Sequence, residues 1–259
     1  MNRILFERDE IRGGVATFGG DRAWHVLNVL HGEPGQTLRT GVVDGPAGHG
    51  EIVAVEGAAG SPDCRVSVRV VHDEETPAPW ADLILAPPRP RVMKRLLPQL
   101  ASLGVGSIVL VGAKKVEKDF WGATLLREEN YRPLLVDGLM QAGTTALPSL
   151  SCERNFRRWV RDSLDARFPS SRRIVAHPYG ASGPAAGASG SGRLLLAVGP
   201  EGGWTEDEVS LLEEKGFERR SLGPRILRTD TAVVALLARF MEADPPAASS
   251  PPIARHGEG

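Results

Sequence analysis

The sequence predicts an α/β protein in which a small β-barrel precedes a larger domain with a mostly parallel sheet. Short runs that alternate or are rich in β-branched residues fill residues 1–72, and strand and helix patterns alternate from residue 81 onward. Two glycine-bearing loops near the C-terminus each follow an apolar run and lead into a helix. The length of 259 residues suits two domains.

The N-terminal third is predicted to be the barrel, over residues 1–75. Its strand patterns lie at 36–43, 50–55 and 65–71, and turn residues such as Asp44 and Gly45 separate them. Trp24 and His25 are interpreted as core residues of this barrel. The segment 74–79 combines two glutamates with two prolines, which is typical of a linker.

The second domain is predicted over residues 81–243. It opens with a strand, a helix and a second strand, and Gly104 ends that helix. Pro98 lies inside the helix and predicts a kink there. The loop 180–192 is too small and polar to build a core, and the proline-rich tail 244–259 is predicted to be disordered. The predicted strands are 82–86, 107–111, 173–176, 193–198 and 217–222, and the predicted helices are 91–103, 125–141 and 156–167.

Two further helices follow the glycine-bearing loops. Thr205 and Glu208 have the spacing of a capping box, and Gly216 ends the helix that they begin. Thr229 or Asp230 is predicted to cap the last helix, 231–241, whose apolar residues predict burial almost all round.

The two loops, 199–204 and 222–231, are predicted to form a ligand site, because parallel strands bring their carboxyl ends to one edge of a sheet. Their glycines allow a ligand to approach the backbone closely. Neither GxGxxG nor a P-loop motif is present, and acidic residues surround the helix start after Gly203, which disfavours a phosphate ligand. Ile226 and Leu227 favour a flat ligand that is neutral or cationic.

Composition excludes several classes of protein. No apolar run approaches the length of a membrane span and the N-terminus lacks a signal-peptide core, so we expect a cytoplasmic protein without membrane contact. Cys64 and Cys152 lack the spacing of metal ligands, so no metal site is predicted. Arginines form several clusters, which suit contacts with nucleic acid but also fit a compositional bias.

The two loops carry a specific resemblance. The segments LLLAVGPEGGWTEDEV (194–209) and LGPRILRTDTA (222–232) resemble the two signature segments of the RsmE-type small-subunit rRNA (uracil-N3)-methyltransferases, which belong to the SPOUT class. Residues 24–30 resemble the PUA-like barrel of that family, and residues 86–105 resemble the segment that opens its catalytic domain. The chain departs from the family at Ser102, Thr144 and His31.

The resemblance implies a SPOUT-type trefoil-knotted domain after a PUA-like RNA-binding barrel. It also implies S-adenosylmethionine as cofactor, a homodimer, and 16S rRNA or the assembled small ribosomal subunit as substrate, methylated at N3 of one uridine. The residues that match the family's cofactor loops are His177, Pro178, Val198, Gly199, Pro200, Glu201, Gly202, Gly203, Leu222, Gly223, Ile226, Leu227, Arg228 and Thr231.

The reaction requires that uracil N3 lose its proton before it attacks the methyl group. We expect Arg225 or Arg228 to stabilise the uracil anion. Glu201 and Asp230 are candidate proton acceptors, although charge or capping at a helix N-terminus explains both carboxylates equally well.

RNA contacts are predicted for exposed arginines of the barrel and of the segment that opens the second domain. Two other functions stay open at this point. One is a non-catalytic RNA-binding assembly factor with the same fold, and the other, disfavoured by the glycine spacing, is a Rossmann-type oxidoreductase. The predicted RNA-binding residues are Arg3, Arg8, Arg12, Arg22 and Arg89.

Overall fold

The computed structural model describes residues 3–57, 61, 63–181 and 192–243. Most of the predicted loop 180–192 and the whole predicted tail 244–259 therefore lie outside the described residues. Within the described part of the chain, every helix is too short or too polar to cross a membrane.

The N-terminal part forms one six-stranded sheet. Its strands lie in the order β1-β4-β5-β6-β3-β2, and all pairs are antiparallel except β1 with β4. The strands predicted at 36–43, 50–55 and 65–71 are confirmed as β4, β5 and β6. Within the described residues no pairing joins the edge strands β1 and β2, so closure into a barrel stays a prediction. The elements are β1 (Ile4–Phe6), β2 (Ile11–Arg12), β3 (Val15–Phe18), α1 (Gly20–Asn28), β4 (Thr37–Val42), β5 (Ala47–Glu56) and β6 (Arg65–Glu74).

Helix α1 was not predicted, and it changes the interpretation of Trp24. Ala23 and Val26 face the core that also contains Phe6 and Phe18. Trp24 lies on the opposite side of the helix and is 53% exposed, so its predicted core role is wrong. A nine-residue helix with only two fully buried residues leaves a weak periodic signal in the sequence.

The second part is a three-layer α/β structure. Its six strands are all parallel, in the order β12-β10-β11-β7-β8-β9, which confirms the predicted parallel sheet. The elements are β7 (Ala81–Leu85), α2 (Pro90–Ser102), β8 (Val105–Val111), α3 (Glu128–Ala142), β9 (Ser149–Glu153), α4 (Phe156–Asp162), α5 (Leu164–Arg167), β10 (Arg172–Ala181), β11 (Leu194–Val198), α6 (Glu206–Glu214), β12 (Glu218–Arg220) and α7 (Thr229–Ala243).

Both faces of this sheet are covered, which explains why its strands are continuous apolar runs. Helices α2, α3 and α7 pack on one face with Leu83 and Leu196, and α4, α5 and α6 pack on the other with Ile84 and Leu195. Helix α7 buries Val233, Leu236, Leu237 and Phe240 along one face, so its expected burial almost all round is only partly met.

Three predicted helix boundaries were wrong. The helix predicted at 156–167 is divided into α4 and α5 at Ser163, and the one predicted from residue 125 begins at Glu128 after a 3-10 turn. Helix α7 begins at Thr229, so Thr229 and Asp230 belong to its first turn and do not cap it. The amide of Ala232 bonds to the carbonyl of Arg228 at 2.8 Å, which makes Arg228 the residue that precedes the helix and Thr229 its first residue.

Arg3 joins the two sheets. Its amide bonds to the carbonyl of Met140 at 3.1 Å, and its Nε donates to the carbonyl of Gly143 at 3.0 Å. Its Nη1 donates to the carbonyl of Thr40 at 2.7 Å, within the N-terminal sheet. The side chain is only 7% exposed. A single arginine thus holds the end of α3 against β4.

Candidate functional site

The C-terminal part of β10 and the loops after β11 and β12 line a cavity of about 290 Å³. The structure therefore brings together the two glycine-bearing loops and also the segment around His177, which the sequence placed here only by its order in the chain. The cavity is lined by Ala176, His177, Pro178, Tyr179, Val198, Gly199, Pro200, Glu201, Gly202, Gly203, Trp204, Arg220, Ser221, Leu222, Arg225, Ile226, Leu227, Thr229, Ala232 and Leu236.

The loop after β11 turns tightly, and its glycines are needed for that shape. The amide of Gly203 bonds to the carbonyl of Pro200 at 2.8 Å, and Gly203 has φ of 69°, a conformation that favours glycine. A Cβ on Gly199 would lie 3.1 Å from Nε1 of Trp204. Trp204 is 5% exposed and stacks on Phe156, so it is a core residue.

The predicted capping box forms, and it reaches further than the sequence indicates. Oε2 of Glu208 accepts hydrogen bonds from the amide of Thr205 at 2.8 Å and from its hydroxyl at 3.0 Å. Oε1 of the same carboxylate accepts from the amide of Lys114 at 2.7 Å. Glu208 is 3% exposed. The buried carboxylate therefore ties the loop after β8 to the loop after β11.

The loop after β12 contacts the C-terminal part of β10. The hydroxyl of Ser221 lies 3.1 Å from the carbonyl of Pro178 and accepts from the amide of Gly223 at 3.1 Å. Gly223 has φ of 113°, which again favours glycine. Ile226 is 76% exposed and Leu227 38%, so this loop presents apolar surface at the mouth of the cavity.

His177 is an uncharged wall of the cavity. It is 8% exposed, and its Nδ1 accepts a hydrogen bond from the amide of Tyr179 at 3.3 Å. Burial, aided by the nearby Arg219 guanidinium, lowers the pKa of His177 below its usual value. The imidazole is therefore neutral at pH 7 and presents one face of the cavity without a charge.

The predicted catalytic residues divide into two pairs. Arg225 and Glu201 line the cavity, whereas Arg228 and Asp230 are not among its lining residues. The carboxylate of Asp230 lies 3.5 Å from the guanidinium of Arg95, on the side of α2. Asp230 thus has Arg95 as its ion-pair partner.

Eleven of the fourteen predicted cofactor residues line the cavity, and their contact with the cofactor stays a prediction. Gly223, Arg228 and Thr231 are not among the lining residues, whereas Thr229 and Ala232 are. Since α7 begins at Thr229, positions 229, 232 and 236 lie on one helical face, and this face contacts the cavity. The correct helix start would have identified them. The lining residues that lie outside the predicted loops are Ala176, Arg220, Ser221, Ala232 and Leu236.

The predicted RNA-binding arginines lie in different environments. Arg3 is buried, and Arg22 bonds to Glu10 while its guanidinium covers the Phe18 ring at 5.5 Å. Both side chains have structural partners, and their assignment to phosphate contacts stays a prediction. Arg8 and Arg12 are exposed. Arg89 is also exposed, and its guanidinium lies 3.3 Å from Glu117.

Comparisons with known proteins agree with this architecture. Residues 74–241 match the family model described as the RNA methyltransferase domain. The chain is 30% identical to ribosomal RNA small subunit methyltransferase E of Treponema pallidum over 250 residues, which cover 92% of this chain and 90% of the relative. It is 26% identical to ribosomal RNA small subunit methyltransferase E 2 of Borreliella burgdorferi, with 93% and 96% covered.

Solved structures show the same fold. The crystal structure of ribosomal RNA small subunit methyltransferase E from Neisseria gonorrhoeae, bound to S-adenosyl methionine, superposes with a TM-score of 0.71 at 24% identity. The superposition covers 94% of this chain and 98% of that one. The likeness extends over the N-terminal sheet as well as the parallel sheet.

Proposed function

The chain belongs to the family of RNA methyltransferase domains, and from this premise we propose that it methylates N3 of one uridine in 16S rRNA during maturation of the small ribosomal subunit. It is an S-adenosylmethionine-dependent rRNA methyltransferase. The observation that carries the more specific proposal is the cavity at the carboxyl edge of the sheet, where both signature segments meet.

The cavity residues fit the cofactor. Backbone groups of 199–203 and the apolar side chains of Leu222, Ile226 and Leu227 suit a flat adenine ring. The charged lining residues are Glu201, Arg220 and Arg225, which complement a ligand that carries both a carboxylate and cationic centres. When bound, S-adenosylmethionine supplies an electrophilic methyl group.

The protein's own contribution is to prepare the uracil nitrogen. The N3–H bond breaks and its proton passes to a carboxylate, and the freed electron pair of N3 forms the N–CH₃ bond. The S–CH₃ bond breaks with its electron pair left on sulfur, so a sulfonium becomes a neutral thioether. Negative charge develops on the uracil oxygens before transfer, and a nearby cation stabilises it.

Glu201 and Arg225 are the better-supported residues for these two roles. Both line the cavity, whereas Asp230 is paired with Arg95 and Arg228 lies outside the lining. We therefore propose Glu201 as proton acceptor and Arg225 as a cation near the developing anion. Separate Arg225→Ala and Arg228→Ala variants test the choice, and each is assayed for cofactor binding and for methyl transfer. Methyl transfer falls in Arg225→Ala and is retained in Arg228→Ala, whether or not cofactor binding changes. Equal losses in both would contradict it.

The proposal extends to the RNA side and to assembly. Residues 1–75 would form the PUA-like RNA-binding barrel and residues 81–243 the SPOUT domain with its trefoil knot. Arg8 and Arg12 are exposed and would contact phosphates. Tyr179, at 79% exposure, and Ile226 form an apolar rim at the cavity mouth, which favours a homodimer that covers it. An enzyme with this substrate acts in the cytoplasm, where ribosomes assemble.

The experiment is a methyl-transfer assay with isotope-labelled S-adenosylmethionine. Unmethylated 16S rRNA and unmethylated assembled small subunits are supplied in parallel, with small subunits from cells that carry the modification as control. Label enters the rRNA of unmethylated material alone. Label in the control subunits at the same level would mean that the protein modifies a different nucleotide, and equilibrium sedimentation of the same sample gives the oligomeric state.

A further inference from the structure

A second cavity, of about 190 Å³, lies beside the first. The two share Pro200, Glu201 and Gly202, so this three-residue segment borders both. The other walls of the second cavity come from the segments after β7 and β8, at the same carboxyl edge of the sheet. They are Pro87, Pro88, Arg89, Pro90, Lys115, Val116, Glu117 and Phe120.

The second cavity, at about 190 Å³, is smaller than the first, at about 290 Å³, which suits a single small ring. Four of its residues are prolines, which offer flat apolar surface and no backbone N–H donors. Phe120 is 3% exposed and adds an aromatic wall. A flat ring that stacks on apolar groups and bonds through its edge matches these walls.

Lys115 stands at the border between the two cavities. Its ammonium donates a hydrogen bond to the carbonyl of Gly202 at 2.7 Å. A Cβ on Gly202 would lie 3.0 Å from Cδ of Lys115, so the lysine stem runs directly across this glycine. An ammonium has three N–H donors, and the bond to Gly202 uses one. Two donors therefore remain for a ligand in the second cavity.

Glu201, which is exposed, lines the same cavity. Arg89 and Glu117 line it too, as an ion pair 3.3 Å apart. Lys115 and Glu201 thus supply a cationic donor and a carboxylate acceptor to one small cavity. Uracil has a matching edge, in which the N3–H donor is flanked by two carbonyl acceptors. A carboxylate accepts a hydrogen bond from N3–H, and an ammonium donates one to the neighbouring carbonyl oxygen.

We propose that this second cavity holds the target uracil base and that Lys115 is a catalytic residue that donates to a uracil carbonyl oxygen and stabilises the anion formed at N3. The inference rests on the proposed function and deepens it by naming the base subsite. It places the base next to the methyl donor, because both cavities border Pro200, Glu201 and Gly202. It also adds a cation from the loop after β8 to the one proposed at Arg225.

The first test replaces Lys115 by Met, which keeps the stem across Gly202 and removes the charge. Loss of one donor to a developing oxyanion lowers kcat about 10²- to 10³-fold. Binding of S-adenosylhomocysteine is measured in the same variant, because the ammonium also bonds to Gly202 of the first cavity, and the loss in kcat exceeds any loss in binding. Lys115→Arg retains the cation and recovers part of the rate. Lys118→Met is the matched control, because Lys118 is exposed and lines neither cavity, and it keeps full activity.

The second test separates charge stabilisation from a structural effect. RNA that carries 5-fluorouridine at the target position has a more acidic N3–H and depends less on a stabilising cation. The rate deficit of Lys115→Met therefore shrinks with this substrate. An equal deficit on uridine and 5-fluorouridine would overturn the catalytic role of Lys115.

Different outcomes test the base subsite and the proposed function. If Lys115→Met transfers methyl groups at the same rate as the unchanged protein, the base subsite alone is overturned. Absence of methyl transfer to any uridine N3 by the unchanged protein, with cofactor bound, overturns the proposed function and this inference with it. Thermal denaturation of each variant checks that the exposed substitution leaves the fold intact.

Discussion

The buried carboxylate of Glu208 accepts a hydrogen bond from the backbone amide of Lys114 at 2.7 Å. The two residues are 94 positions apart in the chain, and their bond sets the loop after β8 against the loop after β11. Lys115 follows directly and bonds to Gly202. The relative position of the two cavities therefore depends on the carboxylate of Glu208, which lines neither cavity.

Replacing Glu208 by Ala is expected to lower the free energy of unfolding by about 1–3 kcal/mol, because the amides of Lys114 and Thr205 lose their acceptor in a buried place. Chemical denaturation measures this change. Glu214→Ala, at an exposed position of the same helix, is the control and stays close to the unchanged protein. Equal stability of the two variants would mean that Glu208 does not hold the loops together.

Gly203→Ala is expected to weaken binding of S-adenosylhomocysteine by up to about tenfold, since a side chain at φ of 69° costs about 1–2 kcal/mol and the loop shifts to relieve the strain. Isothermal titration calorimetry measures the affinity. Gly122→Ala serves as control, because a Cβ there meets no atom within 4 Å. Unchanged affinity in Gly203→Ala would show that the loop binds without this conformation.

Arg3→Met and Arg8→Met are expected to behave in opposite ways. The first removes donors from the buried carbonyls of Thr40 and Gly48 and lowers the free energy of unfolding by about 2–4 kcal/mol. The second leaves stability unchanged and reduces the salt dependence of RNA binding by about 0.7–0.9 in log K against log salt. Denaturation and filter binding at several salt concentrations measure the two. A salt effect from Arg3 without a stability loss would restore its predicted RNA contact.

The free energy of unfolding is expected to decrease as the pH falls, in part because of His177. Because its pKa is lowered in the folded protein, the unfolded chain binds more protons in the interval just below the usual pKa of about 6.5, and stability is lost as the pH falls through that interval. His177→Gln removes this share. Denaturation at about pH 7.5 and about pH 5 compares the two proteins. The pKa of His72 is also lowered, but His72 is present in both, so the difference isolates His177.

The sequence predicted what local chemistry determines. Continuous apolar runs such as Leu194–Val198 are buried on both faces, and so they are recognisable as parallel strands. The capping box at Thr205 and Glu208 needs only residues three apart. The two glycine-bearing loops were located correctly for the same reason.

What the sequence missed depends on tertiary contacts. Strand β9 is an edge strand of only five residues, and its alternation of polar and apolar residues is too short to stand out in the sequence. The bond from Lys114 to Glu208 and the contact of Lys115 with Gly202 join distant segments, so no local pattern reveals them. Arg3 looked like a surface arginine because its partners lie in three other parts of the chain.

The most direct test of the central claim is the identity of the modified nucleoside. The protein is incubated with S-adenosylmethionine and unmethylated small subunits, the 16S rRNA is digested to nucleosides, and the product is compared with synthetic standards by liquid chromatography and mass spectrometry. We predict N3-methyluridine from one position of the rRNA. A methyl group on a ribose, on another base or on another atom of uracil would contradict the account.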